Sequence, residues 1–152
     1  MDVKKLKIAI ASDHAGFLLK EHLCKFLINE GYNITDMGTD SEEAVDYTDI
    51  AYKTSKAVAD GNYDRAIIIC GTGLGVSMVA NKVSNIRAAL CNNTYMARMS
   101  REHNDANIIC LGARVIGNGL AQDTILRFLE TDFEKGGRHS ARVDKINALD
   151  CE

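Results

Sequence analysis

The chain has 152 residues, of which 46% are hydrophobic and 26% are charged, and 18 basic and 21 acidic residues leave a formal net charge of −3. This length suits one compact domain, so we take residues 1–152 as a single domain. This charge balance gives no reason to expect binding to nucleic acid or to an anionic membrane, and any basic cluster must be local.

The cysteines and the apolar runs narrow the class of protein further. No apolar run reaches the length of a signal peptide or a membrane span. The chain has five cysteines, Cys24, Cys70, Cys91, Cys110 and Cys151. Because their number is odd and no two form a Cys-x-x-Cys pair, we expect neither a disulfide framework nor a structural zinc site. We therefore expect a reducing, cytoplasmic location. No His, Asp and Glu cluster has ligand spacing, so we expect no metal and no other cofactor.

Short apolar runs alternate along the chain with segments of helical periodicity. In chain order, the pattern predicts a strand at 6–12, a helix around 19–27, a strand at 33–37, a helix around 50–58, a strand at 66–70, a helix at 73–82, a strand at 86–91, a helix at 94–101, a strand at 107–111, a helix around 121–129 and a short helix in the tail. This alternation predicts an α/β fold, a Rossmann-like three-layer sandwich with a five-stranded parallel sheet and a C-terminal helical tail.

In such sheets ligands bind outside the carboxyl ends of the strands. The residues that follow the strands are therefore the first candidates for a site. Asp13 and His14 follow the first strand, residues 71–75 follow the third, and Arg114 follows the fifth.

The most informative segment is Cys-Gly-Thr-Gly-Leu-Gly at 70–75. A glycine-rich turn between a strand and a helix exposes backbone N–H groups that bind an anion. These groups also favour the thiolate of Cys70, the form that can act as a base. Cys91 and Cys110 also end predicted strands, and for them we accept the role of small buried hydrophobic residues. Val76 occupies the third glycine position of a dinucleotide fingerprint and a Walker A lysine is absent, so neither nucleotide motif applies.

Three further polar segments are weaker indications when each is taken alone. Asp13 is either a helix cap or a ligand contact, and His14 beside it favours the second interpretation. His103 and Asn104 lie in a polar connection between a helix and a strand. Arg138 and Arg142 are four residues apart, so they share one helix face and suit a phosphate, although a solvated basic turn is the alternative.

Together these segments resemble the type B ribose-5-phosphate isomerase family. The resemblance is carried by Ser-Asp-His-Ala-Gly at 12–16, Cys-Gly-Thr-Gly-Leu-Gly at 70–75, Asn-Lys at 81–82, Arg-Glu-His-Asn-Asp-Ala-Asn at 101–107 and Gly-Gly-Arg-His-x-x-Arg at 136–142. The motifs occur in order, from the first strand to the last helix. Five motifs in register are far more specific than any one of them.

The resemblance implies a reaction and its catalytic residues. Cys70 would shuttle a proton between C1 and C2 of ribose 5-phosphate, giving ribulose 5-phosphate through a cis-enediolate without a cofactor. His103, with Thr72, would open the furanose ring. The enediolate would be held in a backbone nest bordered by Gly71, Thr72, Gly73, Gly75 and Asn104.

The resemblance also implies the binding residues and the assembly. Asp13 would bind sugar hydroxyls, and Tyr47 would line the rim of the pocket. The phosphate would be held by His14, Arg114, Arg138 and Arg142. The family works as a homodimer, sometimes paired into a tetramer, and the tail from about residue 133 would complete the active site of a partner subunit.

Two features of this chain compare directly with the family pattern. The family usually has Asp-Tyr-Pro at the pocket rim, whereas this chain has Asp46, Tyr47 and Thr48. Relatives without the cysteine use a glutamate at the position of Val76, so Cys70 places this chain with the cysteine type.

Other functions remain open from the sequence. An isomerase of allose 6-phosphate or another six-carbon sugar phosphate keeps the same chemistry. The galactose 6-phosphate enzymes divide the catalytic motifs between two subunits, which argues against that substrate because one chain here holds all of them. A non-catalytic domain that senses sugar phosphates and an enzyme that uses Cys70 as a nucleophile are the remaining alternatives.

Overall fold

The structure is a computed structural model and describes residues 2–149. Its centre is a five-stranded parallel sheet in the order β2-β1-β3-β5-β4, which confirms the predicted fold class. The strands are β1 (Lys7–Ser12), β2 (Asn33–Asp36), β3 (Arg65–Cys70), β4 (Ala88–Leu90) and β5 (Ile108–Gly112). The chain order reverses between β1 and β3, so a crevice opens at the carboxyl ends of these two strands.

The helices cover both faces of the sheet. They are α1 (Phe17–Asn29), α2 (Tyr47–Ala59), α3 (Leu74–Ala80), α4 (Thr94–Glu102), α5 (Asn118–Glu130) and α6 (Arg138–Ala148), after a short 3-10 helix at Val3–Lys5. Buried side chains of α1, α4 and α5 form one core cluster with the sheet, and those of α2 and α3 form the other. Helices α1 and α5 each bury a mainly apolar stripe, as the periodicity predicts, whereas α4 buries Ala97, Ser100 and Arg101.

The burial of β3, the central strand, fixes its register in the sheet. Every residue of β3 is buried, and its side chains alternate between the two core clusters. Ile67 and Ile69 pack towards α1 and α5, whereas Ile68 and Cys70 pack towards α2 and α3. Full burial of each isoleucine contributes about 1.5–3 kcal/mol relative to an exposed one, so a shift in register that exposed them is strongly disfavoured.

Two predicted elements are three residues shorter in the structure, whereas β1 and β2 are each one residue shorter. The strand predicted at 86–91 is only Ala88–Leu90, and the N–H of Arg87 just before it donates to the side chain of Asn107 at 2.9 Å instead of to a strand carbonyl. The helix predicted at 73–82 ends at Ala80. The prediction that Cys110 ends a strand is wrong, since it is the third residue of β5 and pairs with Ile68.

Part of the predicted single domain, 1–152, lies outside the described residues. Residues 1 and 150–152, with Cys151, belong to that part, so the full extent of the domain stays a prediction. Within 2–149 every helix is too short or too polar to cross a membrane.

Candidate active site

The predicted site residues fall into two groups at opposite edges of the sheet. In a parallel sheet with alternating helices, strands end and helices begin at the carboxyl edge, whereas helices end at the amino edge. The nest group therefore lies at the carboxyl edge and comprises Asp13, His14, Tyr47, Cys70, Gly71, Thr72, Gly73, Gly75 and Arg114. The tail group begins at the C-terminal end of α4 and comprises His103, Asn104, Arg138 and Arg142.

The thiol of Cys70 lies directly against the backbone of the glycine-rich loop. The Cys70 residue is 5% exposed, and the N–H of Gly73 donates to its Sγ at 3.1 Å. Gly73 has a φ of 78°, in the left-handed region, which a side chain at this position would oppose. The sulfur of Cys70 is thus held against the exposed backbone N–H groups of a loop of the kind that binds anions.

Two side chains of the nest group flank this loop. The ring of Tyr47 lies against Gly75, where a Cβ would come within 2.6 Å of a ring carbon. On the other side, the guanidinium of Arg114 lies against Gly71, where a Cβ would be 3.3 Å from Nη1. The N–H of Arg114 also donates to the C=O of Gly71 at 3.0 Å. The two glycines thus let Tyr47 and Arg114 approach the loop closely.

Asp13 and His14 reach the same crevice from the end of β1. The N–H of Asp13 donates to the C=O of Ile69 at 3.2 Å, which fastens this turn to β3. One carboxylate oxygen of Asp13 accepts the N–H of Gly16 at 3.1 Å, so Asp13 does stabilise the turn into α1. Nδ1 of His14 accepts the N–H of Val45 at 3.2 Å, which assigns the proton of the neutral ring to Nε2.

The start of α2 is held by a cap between Asp46 and Thr48, the residue that stands in the family's proline position. The N–H and the hydroxyl of Thr48 both donate to Oδ1 of Asp46, at 2.9 and 2.7 Å. These two bonds hold the pKa of Asp46 below its ordinary value. A proline would lack the N–H, so Thr48 anchors the start of α2, and with it Tyr47, by a helix cap.

The tail group is organised by a pair of stacked histidines. The ring of His139 lies 4.1 Å from the ring of His103, at an angle of 7° between the planes. His139 is buried, whereas Arg138 and Arg142 beside it on α6 are exposed. The stack therefore attaches the start of α6 to the end of α4 and leaves both guanidinium groups facing outward.

Comparisons with known proteins identify the family of this chain. Residues 8–146 match the family described as Ribose/Galactose Isomerase. This chain belongs to the ribose/galactose isomerase family.

The named relatives cover nearly the whole chain. Ribose-5-phosphate isomerase B of Escherichia coli K12 is 44% identical over 144 residues, which is 95% of this chain and 96% of that protein. D-erythrulose-4-phosphate isomerase of Pectobacterium atrosepticum is also 44% identical, with 93% of each chain covered. The structure of ribose-5-phosphate isomerase B from Clostridium thermocellum matches with a TM-score of 0.92 and 54% identity, over 95% of this chain and 97% of that one. The resemblance to type B ribose-5-phosphate isomerases is confirmed, and this family member is an isomerase.

Its remaining described cysteines have environments unlike that of Cys70. Burial raises the pKa of Cys91 and of Cys24 to about 11, and burial also raises the pKa of Cys110. Buried thiols of this kind are poor bases and nucleophiles at neutral pH. Within residues 2–149, no three His, Cys, Asp or Glu side chains are grouped so that they could hold a metal ion.

Sequence reasoning missed several contacts that shape the site of this isomerase. It did not assign the backbone N–H of Val45 to His14, or His139 to the stack with His103. The N–H of a nonpolar residue carries no signal in a sequence. For His139, the adjacent arginines drew the interpretation towards the phosphate, although a histidine beside them was visible in the same motif.

We expect substitution of Gly112 by alanine to displace the nest. A Cβ at this position would lie 2.6 Å from the carbonyl carbon and oxygen of Thr72, so β5 and the loop would have to separate. We predict at least a tenfold loss of kcat/KM and a cost of about 1–3 kcal/mol in the free energy of unfolding. Enzyme assays and thermal melts check both values.

The matched control is Gly117→Ala, because the position of its Cβ is open and its φ is −80°. Its kinetics and melting temperature are expected to stay near those of the unsubstituted protein. Equal losses in the two variants would show that the close approach at Gly112 has no special effect.

The stacked histidines predict a pH dependence of stability. Burial lowers the pKa of His139 below its ordinary value, and positive charge on the neighbouring His103, Arg138 and Arg142 lowers it further. The folded state then binds fewer protons than the unfolded state, so stability is highest above pH of about 6.5 and is lost as the pH falls below it. Calorimetric melts between pH 5 and 8 should show this slope. His139→Phe keeps a ring that can stack on His103 but binds no proton, so the dependence of stability on pH should become flatter. An unchanged slope would rule out His139 as the source of this dependence.

Proposed function

We propose that this chain interconverts ribose 5-phosphate and ribulose 5-phosphate through a cis-enediolate, with Cys70 as the base. The observation that carries the proposal is the Gly73 N–H bond to Sγ of Cys70. This bond places a group that can accept a proton, Sγ of Cys70, directly beside a loop that can stabilise an anion. The relatives' names support the substrate, and the pentose phosphate pathway is the setting in which this reaction belongs.

The reaction needs a base, a stabilised oxyanion and a fixed substrate. The thiolate of Cys70 removes the proton from one substrate carbon and the thiol returns it to the neighbouring carbon. The N–H of Gly73 bonds Sγ of Cys70 and that of Leu74 bonds Oγ1 of Thr72, and the other N–H groups of residues 71–75 face the charge that develops on the enediolate oxygens. In other enzymes the loss of one such donor costs about 3–4 kcal/mol of transition-state stabilisation, so the loop matters as much as the base.

We further propose that the site is completed between two copies of this chain. Within one chain His103 lies at the C-terminal end of α4, and the stack with His139 holds the start of α6 at that same amino edge. Cys70 ends β3 at the opposite edge. A two-fold dimer brings the tail group of one copy to the nest group of the other, and an isologous interface forms two such sites.

In this dimer each group has a defined role. His14 and Arg114 hold the substrate phosphate from the nest group, and Asp13 binds sugar hydroxyls. Arg138 and Arg142 of the second copy close on the same phosphate, where two guanidinium groups give strong charge-assisted hydrogen bonds. His103 of the second copy, with Thr72, opens the furanose ring, and Asn104 borders the nest.

A four-carbon sugar phosphate is the second candidate substrate. The observation that favours it is the Pectobacterium relative, which is as similar in sequence as the Escherichia coli protein but is named for D-erythrulose 4-phosphate. The same proton transfer serves both substrates, because they share the ketose end and differ in chain length.

The deciding experiment is NMR of the substrate in D2O with metal-stripped protein. Ribulose 5-phosphate should form from ribose 5-phosphate, and deuterium should enter at the carbon that receives the proton. Erythrulose 4-phosphate, allose 6-phosphate and galactose 6-phosphate form the comparison panel. Binding of ribose 5-phosphate without product or exchange would contradict isomerisation and favour a sensing domain. A covalent adduct on Cys70, seen by mass spectrometry, would favour a nucleophilic thiol.

We also propose a cytoplasmic location for the enzyme. The four described cysteines are free thiols, and three of them are buried. Free thiols persist in the reducing cytoplasm, where sugar phosphates are also found. Fractionation of cells, followed by detection of the protein, tests this directly.

A further inference from the structure

The side chain of Lys20 is fully buried on α1, which is unusual for a lysine. Its exposure is 0%, and it is the largest of the fully buried side chains. Lys20 follows the turn that carries Asp13 and His14, and its N–H donates to the C=O of Gly16 at 2.9 Å. A buried ammonium group is costly unless it is paired, so its partners show what it holds in place.

The ammonium group is paired with two carboxylates that remain open to water. Nζ of Lys20 bonds Oε1 of Glu21 at 2.9 Å, and it also bonds Oδ2 of Asp36. The two carboxylate side chains are 40% and 41% exposed. Burial by itself lowers the pKa of Lys20, but the hydrogen bonds to Asp36 and Glu21 outweigh it and raise the pKa above the ordinary value. The ion pair is therefore intact at neutral pH.

Asp36 also binds the segment that follows β2. Its second oxygen, Oδ1, accepts the N–H of Gly38 at 2.9 Å. The C=O of Gly38 accepts the N–H of Ser12 at 2.6 Å, and the N–H of Thr39 donates to the C=O of Ser12 at 2.7 Å. Both backbone groups of Ser12, which directly precedes Asp13, are thus held by this segment.

The same segment, residues 38–46, continues to His14. Near its end, the N–H of Val45 donates to Nδ1 of His14 at 3.2 Å. At one end the segment is fixed by the pair of Lys20 and Asp36, and at the other by the cap between Asp46 and Thr48. The direction of the His14 ring, and the N–H it presents at Nε2, therefore depend on how residues 38–46 are held.

We propose that Lys20 is a positioning residue for the substrate phosphate, acting through Asp36 and residues 38–46 to orient His14. The inference deepens the proposed function, on which it depends for the role of His14. The Cys70 loop has separate attachments, since the N–H of Ala113 donates to the C=O of Cys70 at 2.8 Å and that of Arg114 to Gly71. Loss of Lys20 should therefore affect phosphate binding and spare proton transfer.

The test variant is Lys20→Met, which keeps the volume and the apolar packing of the side chain. Asp36 then remains solvated, so the fold is expected to survive. Backbone amide exchange, measured by NMR, should rise by about tenfold at Thr39 and Val45 but not at Gly73. KM for ribose 5-phosphate should rise by about tenfold, with kcat within about twofold of the unsubstituted protein. Lys25→Met, at an exposed position of the same helix, is the matched control and should change neither.

A second pair of variants covers the case in which Lys20→Met does not fold. Asp36→Asn weakens the same ion pair from its exposed side and keeps an oxygen for Gly38, so it should raise exchange at the same amides. If Lys20 acts through Asp36, the double variant Lys20→Met/Asp36→Asn should show no more than the effect of the larger single change. Fully additive effects, or a lower kcat at unchanged KM, would overturn the inference.

The amide exchange keeps this inference separate from the proposed function. If the unsubstituted protein does not turn over ribose 5-phosphate, the proposed function fails, but the exchange at Thr39 and Val45 still reports whether Lys20 holds the segment. Inorganic phosphate then serves as the probe, and its binding is measured by NMR from the chemical shifts of the His14 and Arg114 amides. Unchanged exchange and unchanged phosphate affinity in Lys20→Met would overturn the positioning role whatever the sugar.

Discussion

The variant Cys70→Ala is expected to bind ribose 5-phosphate nearly as well as the unsubstituted enzyme and to lose turnover by about 10²–10⁴-fold. The methyl group of alanine cannot accept a proton, whereas the backbone N–H groups and the phosphate ligands remain. Stopped assays give kcat, and titration of ribose 5-phosphate gives the affinity. Cys70→Ser should fall as far, because a hydroxyl holds its proton much more tightly than a thiol.

The matched control for this result is Cys91→Ala. Cys91 is 1% exposed, lies in the other core cluster and has a pKa raised to about 11 by burial. Its removal should cost stability through a small cavity and leave kcat nearly unchanged. Equal loss of binding and turnover in Cys70→Ala would instead identify Cys70 as a structural thiol.

Two inactive variants are expected to restore activity when they are combined in one dimer. Cys70→Ala damages only the nest group, and His103→Ala damages only the tail group. In a mixed dimer one site receives both defects and the other receives neither. Random pairing makes half of the dimers mixed, so about a quarter of the full activity should return.

Co-expression with two different affinity tags isolates the mixed dimers, in which about half of the full activity should return because one of the two sites is intact. The control pairs Cys70→Ala with Thr72→Ala, two changes in the nest group, and should recover nothing because each site then carries a damaged nest. No recovery with Cys70→Ala and His103→Ala, in mixed dimers of confirmed composition, would contradict completion of the site by a second copy.

The position of His103 shows where sequence reasoning needed the topology. The motif at 101–107 belongs to the resemblance, but it lies at the end of a helix, whereas the motifs at 12–16 and 70–75 lie at the ends of strands. Helix α4 runs from the carboxyl to the amino edge of the sheet, so its last residues lie far from Cys70. The predicted alternation of strands and helices already contains this direction, although the separation becomes plain only once the strands are in place.

The sequence by itself determined the alternation of strands and helices, the burial of β3 and the place of the Cys70 loop. These features depend on local hydrophobic periodicity and on glycines at particular positions next to a strand, so neighbouring residues are enough to predict them. Only the tertiary structure decided the stack of His103 on His139 and the path from Lys20 through Asp36 to His14. The stack, the bond between Lys20 and Asp36 and the bond between Val45 and His14 join residues at least 16 positions apart, and no local sequence pattern marks which distant residues meet.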